Sequence, residues 1–190
     1  GLLYVGYGSA LAALDMRSLD VAHRFALRGH PEGFQLSASR IHVNVPAASA
    51  VVVLDLATVT TTATWSIAPA AANFPMAIDA TTRRLFVATR RPAGVLAFDP
   101  ESGRRIAQLP ICADADDLFV GAGGQLHAVC GDGHVDTIRE SAPGRYEVSQ
   151  RVATAEGART GLFVPALRRL FVAAPARGRQ QAAILVYQVK

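Results

Sequence analysis

One strand-sized motif recurs five times along the chain. It reads Leu3-Tyr4-Val5, Ile41-His42-Val43, Leu85-Phe86-Val87, Leu126-His127-Ala128 and Leu170-Phe171-Val172, at steps of 38, 44, 41 and 44 residues. A period of this size means that one supersecondary unit is copied, so the repeat constrains the fold before any local propensity does. The stretch from Asn73 to Leu109 shows the unit whole, as four short β-type runs parted by three tight turns. We label the runs a to d, with the recurring motif as b. The c runs are Ala12 to Asp15, Val52 to Asp55, Leu96 to Asp99, and the degenerate Val135 to Ile138 and Ile184 to Tyr187. The d runs are Val21 to Leu27, Thr61 to Ile67, Arg104 to Ile111 and Tyr146 to Thr154, and the a runs begin near Gly33, Phe74, Asp117 and Arg159.

Four strands in about 40 residues is the signature of a β-propeller built from four-stranded antiparallel blades. No helical periodicity competes with it. A single blade cannot bury both of its faces, so blades stack and their alternating apolar residues make the core between them. The turns agree. Asp15, Asp55 and Asp99 each close a c run with Ser18, Thr58 or Ser102 three residues on, where the carboxylate can accept from the turn backbone. The count is b-c-d, three full units and a final a-b-c, or about four and a half blades in one domain. The units are 1–28, 29–68, 69–111, 112–154 and 155–190. The first lacks an a strand and the last a d strand. Either the chain closes an imperfect five-unit ring, or it is an open piece of a larger ring with exposed sheet edges. It opens inside a strand pattern with no signal peptide in view, as part of a longer gene product would.

Composition narrows the function classes. Half of the 190 residues are apolar, which argues against disorder, yet no apolar run approaches the length of a membrane-spanning helix. The formal charge of +4 comes almost wholly from arginines spread over the turns, and Lys190 is the sole lysine. Without a basic stripe or a recognised module, a solvated basic surface is preferred to nucleic-acid binding. There is no serine nucleophile elbow, no zinc-binding helix and no phosphate-binding glycine loop. Gly121-Ala122-Gly123-Gly124 reads as a turn. No cofactor is implied.

The repeat separates scaffold from function. His42 and His127 fall where Tyr4, Phe86 and Phe171 fall, so they read as half-buried strand residues and not as metal ligands. The polar residues that do not recur lie in the d-to-a and b-to-c connections, which share one face of a blade near the axis. That face gathers His30, Glu32, Asn44, Asn73, Arg90, Asp116, Asp117, Asp132, His134 and Arg159. Convergent polar groups at an axial mouth suit a protein, peptide or small-molecule ligand. The competing reading is structural: Arg90 and Arg159 pair with Asp116, Asp117 and Asp132 as ties between blades.

Sharper readings exist. Asp116, Asp132 and His134 have oxygen and nitrogen donors for a divalent cation, but the run lacks the spacing of a calcium loop. His30 and Glu32 resemble an acid–base pair, although residues flanking Pro31 need not converge. Cys112 and Cys130 sit in neighbouring connections of the same face. They read either as a disulfide worth about 3 kcal/mol or as two partly buried thiols.

The motifs have a known counterpart. Pro31-Glu32-Gly33, Arg40-Ile41-His42-Val43-Asn44 and Val52-Val53-Leu54-Asp55 with Thr58 resemble the YVTN-type β-propeller repeat over nearly the whole chain. Gly29 to Phe34, Asn73 to Met76, Asp114 to Asp117 and Gly157 to Thr160 are similar to a group of bacterial, exported YVTN-like proteins of unassigned function. The resemblance implies a seven-bladed parent of which this is the C-terminal part, and a periplasmic or secreted location. The fourth c run departs from the pattern, continuing through Ile138-Arg139-Glu140 with no terminal aspartate. Two functions follow as expectations. One is a non-catalytic binding or scaffold protein using the loop face. The other is a metal-assisted lyase or hydrolase at the same mouth, with His30, Glu32, Asp132 and His134 as its candidates.

Overall fold

The computed structural model describes residues 1–189 and is all-β, with eighteen strands and no α-helix among those residues. Each sheet is an antiparallel meander. The first holds β1 (Leu2–Tyr7), β2 (Ala10–Asp15) and β3 (Val21–Ala26). The second holds β4 (Phe34–Ser37), β5 (Arg40–Val45), β6 (Ala50–Asp55) and β7 (Thr60–Ser66). The third holds β8 (Ala71–Asp79), β9 (Arg84–Arg91), β10 (Ala93–Phe98) and β11 (Arg105–Pro110). The fourth holds β12 (Ala115–Val120), β13 (Leu126–Cys130), β14 (His134–Ala142) and β15 (Arg145–Ala153). The fifth has three strands, β16 (Thr160–Val164), β17 (Arg169–Ala174) and β18 (Ala183–Gln188). Strand number and order agree with the a-to-d reading. No helix among the described residues is long and apolar enough to cross a membrane.

The turns form for the expected reason. In each of the first three sheets the aspartate ending the c strand accepts two backbone N–H groups through one oxygen. Asp15 Oδ1 takes those of Arg17 and Ser18, Asp55 Oδ1 those of Ala57 and Thr58, and Asp99 Oδ1 those of Glu101 and Ser102. These N–H donors hold all three carboxyls below their ordinary range. The fourth sheet lacks the aspartate, and its c strand runs on through Arg139 and Glu140 to pair with β15 across Pro143-Gly144. Dropping the aspartate therefore lengthens a hairpin without losing the strand.

The chain divides into two compact units, Gly1–Phe74 and Pro75 onward. The core of the first packs Leu11 and Phe25 against Ile41, Val43, Val45, Val52 and Leu54. In the second, Phe86, Ala88, Val95, Ala97 and Leu109 of the third sheet meet Leu118, Leu126, Ala128 and Ile138 of the fourth. Val129 and Val135, on the other face of the fourth sheet, meet Leu170, Val172 and Val189. Each fully buried large side chain here is worth about 1.5–3 kcal/mol. The b-strand histidines lie deeper than half-buried. His42 has no exposed surface and lies 5.3 Å from the ring of Trp65, and His127 is 4% exposed.

Candidate functional site

In the first unit the candidate residues split between surface and core. His30 is exposed, and its Nδ1 lies 3.0 Å from the carbonyl oxygen of Gly8, which ties the 29–33 loop to the turn between β1 and β2. Glu32 contributes its backbone N–H to Asn44 O at 2.9 Å. Its side chain makes no pair with His30 among the described contacts. Asn44 and Asn73 are not surface groups at all, since both are 0% exposed. Asn73 Nδ2 donates to Asn44 Oδ1 and to Ala50 O, each at 2.9 Å, and Asn44 Nδ2 donates to Phe74 O at 3.1 Å. A buried amide costs stability unless its hydrogen bonds are made. Both amide nitrogens are satisfied by these bonds, while the buried Asn73 Oδ1 has no hydrogen-bond partner.

In the second unit the d-to-a and b-to-c connections do meet. Arg90, at the end of β9, places Nε 3.0 Å from Asp114 Oδ1 and also donates through Nη2 to Asp116. Arg159, in the connection before β16, reaches Asp114 Oδ2 at 2.9 Å and Asp116 Oδ2 at 3.6 Å. Two guanidiniums and two carboxylates thus alternate across loops of the third, fourth and fifth sheets. The Asp114 carboxylate raises the Arg159 pKa further above its ordinary value, by hydrogen bond and by charge. Asp114 itself has φ +60, and a Cβ on Gly131 would fall 2.2 Å from its Oδ2. Glycine at 131 is what lets the carboxylate sit there.

Asp117 stands apart from this ring. Its Oδ2 accepts the Gly161 N–H at 2.6 Å, joining β12 to β16. Burial pushes its pKa up, the Gly161 N–H opposes that, and neighbouring Asp116 adds to it. Asp132 Oδ2 accepts the Ala113 N–H at 2.7 Å, while its Oδ1 lies 3.2 Å from His134 Nδ1. The expected ties of Arg90 and Arg159 therefore form with Asp114 and Asp116. Asp117 and Asp132 are held by backbone N–H groups instead.

Cys112 and Cys130 form a disulfide, with Cα atoms 5.8 Å apart, that joins the two connections of the fourth sheet beneath this cluster. Among the described residues one grouping of potential metal ligands converges, Cys112, Cys130 and Asp132. Its two sulfurs are bonded to each other, and Asp132 is engaged as above. Asp116 and His134 do not join it.

One residue of consequence escaped the sequence reading. Asp136 lies in the middle of β14 with no exposed surface. Arg151 grips it from β15 with Nε to Oδ1 at 2.7 Å and Nη2 to Oδ2 at 2.8 Å, and the Cys112 N–H donates to Oδ2 at 2.7 Å. The buried carboxylate raises the Arg151 pKa above its ordinary value, chiefly through this hydrogen bond. The signal was present: an acidic residue mid-strand, where the third and fifth sheets carry Leu96 and Leu185.

No family model and no curated protein matches the chain. Solved structures do. Hydrazine synthase of Kuenenia stuttgartiensis superposes with a TM-score of 0.76 at 14% identity, over 96% of this chain and 57% of that one. A chain of a mitotic checkpoint complex gives 0.79 at 13% identity, over 91% and 56%. A functionally unknown protein of Desulfotomaculum acetoxidans gives 0.72 at 10% identity, over 96% and 63%. The fold is β-propeller-like. At these identities the likeness carries the fold alone, and the chain spans less than two thirds of each structure it matches.

Proposed function

We propose that these residues are part of a larger β-propeller of the YVTN type, exported in its parent protein, and that the loop face of the second unit is a non-catalytic docking surface for a peptide, protein or small ligand. The observation that carries this reading is the alternation of Arg90, Asp114, Asp116 and Arg159 across three sheets. The groups neutralise one another and, with the disulfide, hold the loops in one arrangement. A preorganised, charged but balanced surface suits recognition, because little ordering remains to be done when a partner arrives. Arg159, Asp132 and His134 keep part of their surface open at its rim.

Binding of the purified chain to an immobilised peptide library and to a metabolite panel tests this. Specific binding that is lost in Arg159→Ala, with the fold retained by circular dichroism, supports it. Binding unaffected by Arg159→Ala, Asp132→Ala and His134→Ala places recognition elsewhere.

A second reading rests on Asp132 and His134. A carboxylate fixed by the Ala113 N–H and lying 3.2 Å from His134 Nδ1 has the geometry that orients a general base or a metal-bound imidazole. Metal analysis after mild purification separates the readings. Stoichiometric metal that disappears in Asp132→Ala favours a metal-assisted lyase or hydrolase.

A further inference from the structure

We propose that Cys112 and Cys130, when their sulfurs are reduced, hold a zinc ion together with Asp132, so that the metal and the disulfide are alternative occupants of one site. The inference is independent of the docking reading. It shares Asp132 with the metal-assisted reading, but its main ligands are the two thiolates, and its metal leaves when the disulfide closes.

The loops that carry the cysteines do not depend on the sulfur–sulfur bond for their position. Ala115 pairs with Cys130 at the end of the β12–β13 ladder. Beyond it the Gly131 N–H donates to Asp114 O at 2.9 Å, and the Asp132 N–H to Ala113 O at 3.2 Å. Asp132 Oδ2 accepts the Ala113 N–H at 2.7 Å, and the buried Asp136 carboxylate accepts the Cys112 N–H at 2.7 Å. None of these bonds involves sulfur, so they survive reduction and keep the cysteine Cα atoms close to their present 5.8 Å. The sulfurs are also placed for the reduced state. Cys112 Sγ lies 3.8 Å from Ala128 O and 3.9 Å from His134 O, and Cys130 Sγ lies 3.9 Å from Ala128 O. A thiol can donate to these carbonyls and a disulfide sulfur cannot.

The donors select the metal. Both sulfurs and a carboxylate oxygen of Asp132 lie within 4.8 Å of one another. Tetrahedral zinc at about 2.3 Å from each thiolate needs the sulfurs about 3.8 Å apart, which side-chain rotation on a held backbone supplies. Thiolates favour zinc over magnesium or calcium. The cysteines are buried, while the Asp132 side chain is 32% exposed, so the fourth position opens to solvent and takes water. His134 Nδ1, 3.2 Å from Asp132 Oδ1, steadies that carboxylate from outside. A small-molecule disulfide empties the site by exchange. One thiolate attacks it and releases a first thiolate, the second attacks the mixed disulfide and releases the other, and zinc departs as the free ion. Two electrons pass from the cysteines to the added disulfide.

The 190-residue chain, reduced with a phosphine and then freed of it without air, is titrated with zinc against a chromogenic chelator. One zinc per chain is expected, and none in the oxidised chain. With free zinc at about ten times its Kd, the two thiols should react about tenfold more slowly with a chromogenic disulfide, and completing that reaction should release the zinc. Asp132→Ala should weaken the site by about tenfold or more while leaving both thiols in place. Zinc held equally by the oxidised chain would overturn the proposal in favour of Asp132 and His134 alone. No zinc uptake by the reduced chain, thiol reactivity indifferent to zinc, or an unchanged affinity in Asp132→Ala would also overturn it. So would loss of the β signal in circular dichroism on reduction alone, because the loops would then depend on the bond.

Discussion

The third and fifth sheets carry nearly the same b strand, Leu85-Phe86-Val87 against Leu170-Phe171-Val172, and meet different fates. In the third sheet Phe86 is buried beneath Tyr146, and Val95 and Ala97 are sealed. In the fifth, Phe171 is half-buried, and Ile184 and Val186 stand mostly in solvent. A strand's own pattern says which face is apolar. Whether that face is covered depends on a neighbour, and in a stacked-sheet fold the neighbour lies some forty residues away.

This contrast can be broken by experiment, and the aromatic pair is the strongest test. Phe86→Ala should cost about 3–5 kcal/mol in denaturant unfolding, as a buried aromatic deletion does, and Phe171→Ala only about 1 kcal/mol. Equal losses would mean that the fifth sheet is as well packed as the third.

The fourth sheet, which lies between them, sharpens the contrast through charge. Arg151→Ala strands the buried Asp136 carboxylate and should cost about 3 kcal/mol. Asp136→Leu installs the residue type that the third and fifth sheets carry at that place and should cost less. If the two variants unfold at the same denaturant concentration, the ion pair contributes through something other than its buried charge.

A smaller difference should separate two hydroxyl substitutions. Val95→Thr places an unsatisfied hydroxyl in the core and should cost about 1–2 kcal/mol, while Ile184→Thr should stay within about 0.5 kcal/mol.

The smallest effect is a slope against pH. Burial holds the His127 pKa below its ordinary value of 6.5, so the unfolded chain takes up this proton more readily than the folded one. The favourable contribution of the neutral ring is complete above that value. It is lost as pH falls from 6.5 through the folded pKa. His127→Phe, which restores the residue type of the third and fifth sheets, should flatten that part of the stability–pH curve. An unchanged slope would show that His127 does not titrate there.

The eighteen strands were legible because each turn carries its own chemistry. Asp99 with Ser102, and Asp55 with Thr58, mark a strand end whatever surrounds them. The candidate site was legible in part. Arg90 and Arg159 meet acidic partners in the loops where the repeat pattern places them. The burial of Asn44 and Asn73 was not legible, because a loop asparagine exposed to water and one buried in a mutual hydrogen bond look alike in a sequence. Asp136 went unseen for the converse reason. Its strand is a degenerate copy of the c run, and the arginine that makes burial tolerable is fifteen residues away.

The Cys112–Cys130 bond has a consequence for anything that must handle the chain end-on. It ties off a loop spanning 18 residues whose Cα ends are 5.8 Å apart, so a fully stretched polypeptide is shorter by about 55 Å at about 3.4 Å per residue. A motor or pore that threads one strand at a time meets a double strand at this point. The chain passes in single file only before the bond has closed or after it has been reduced.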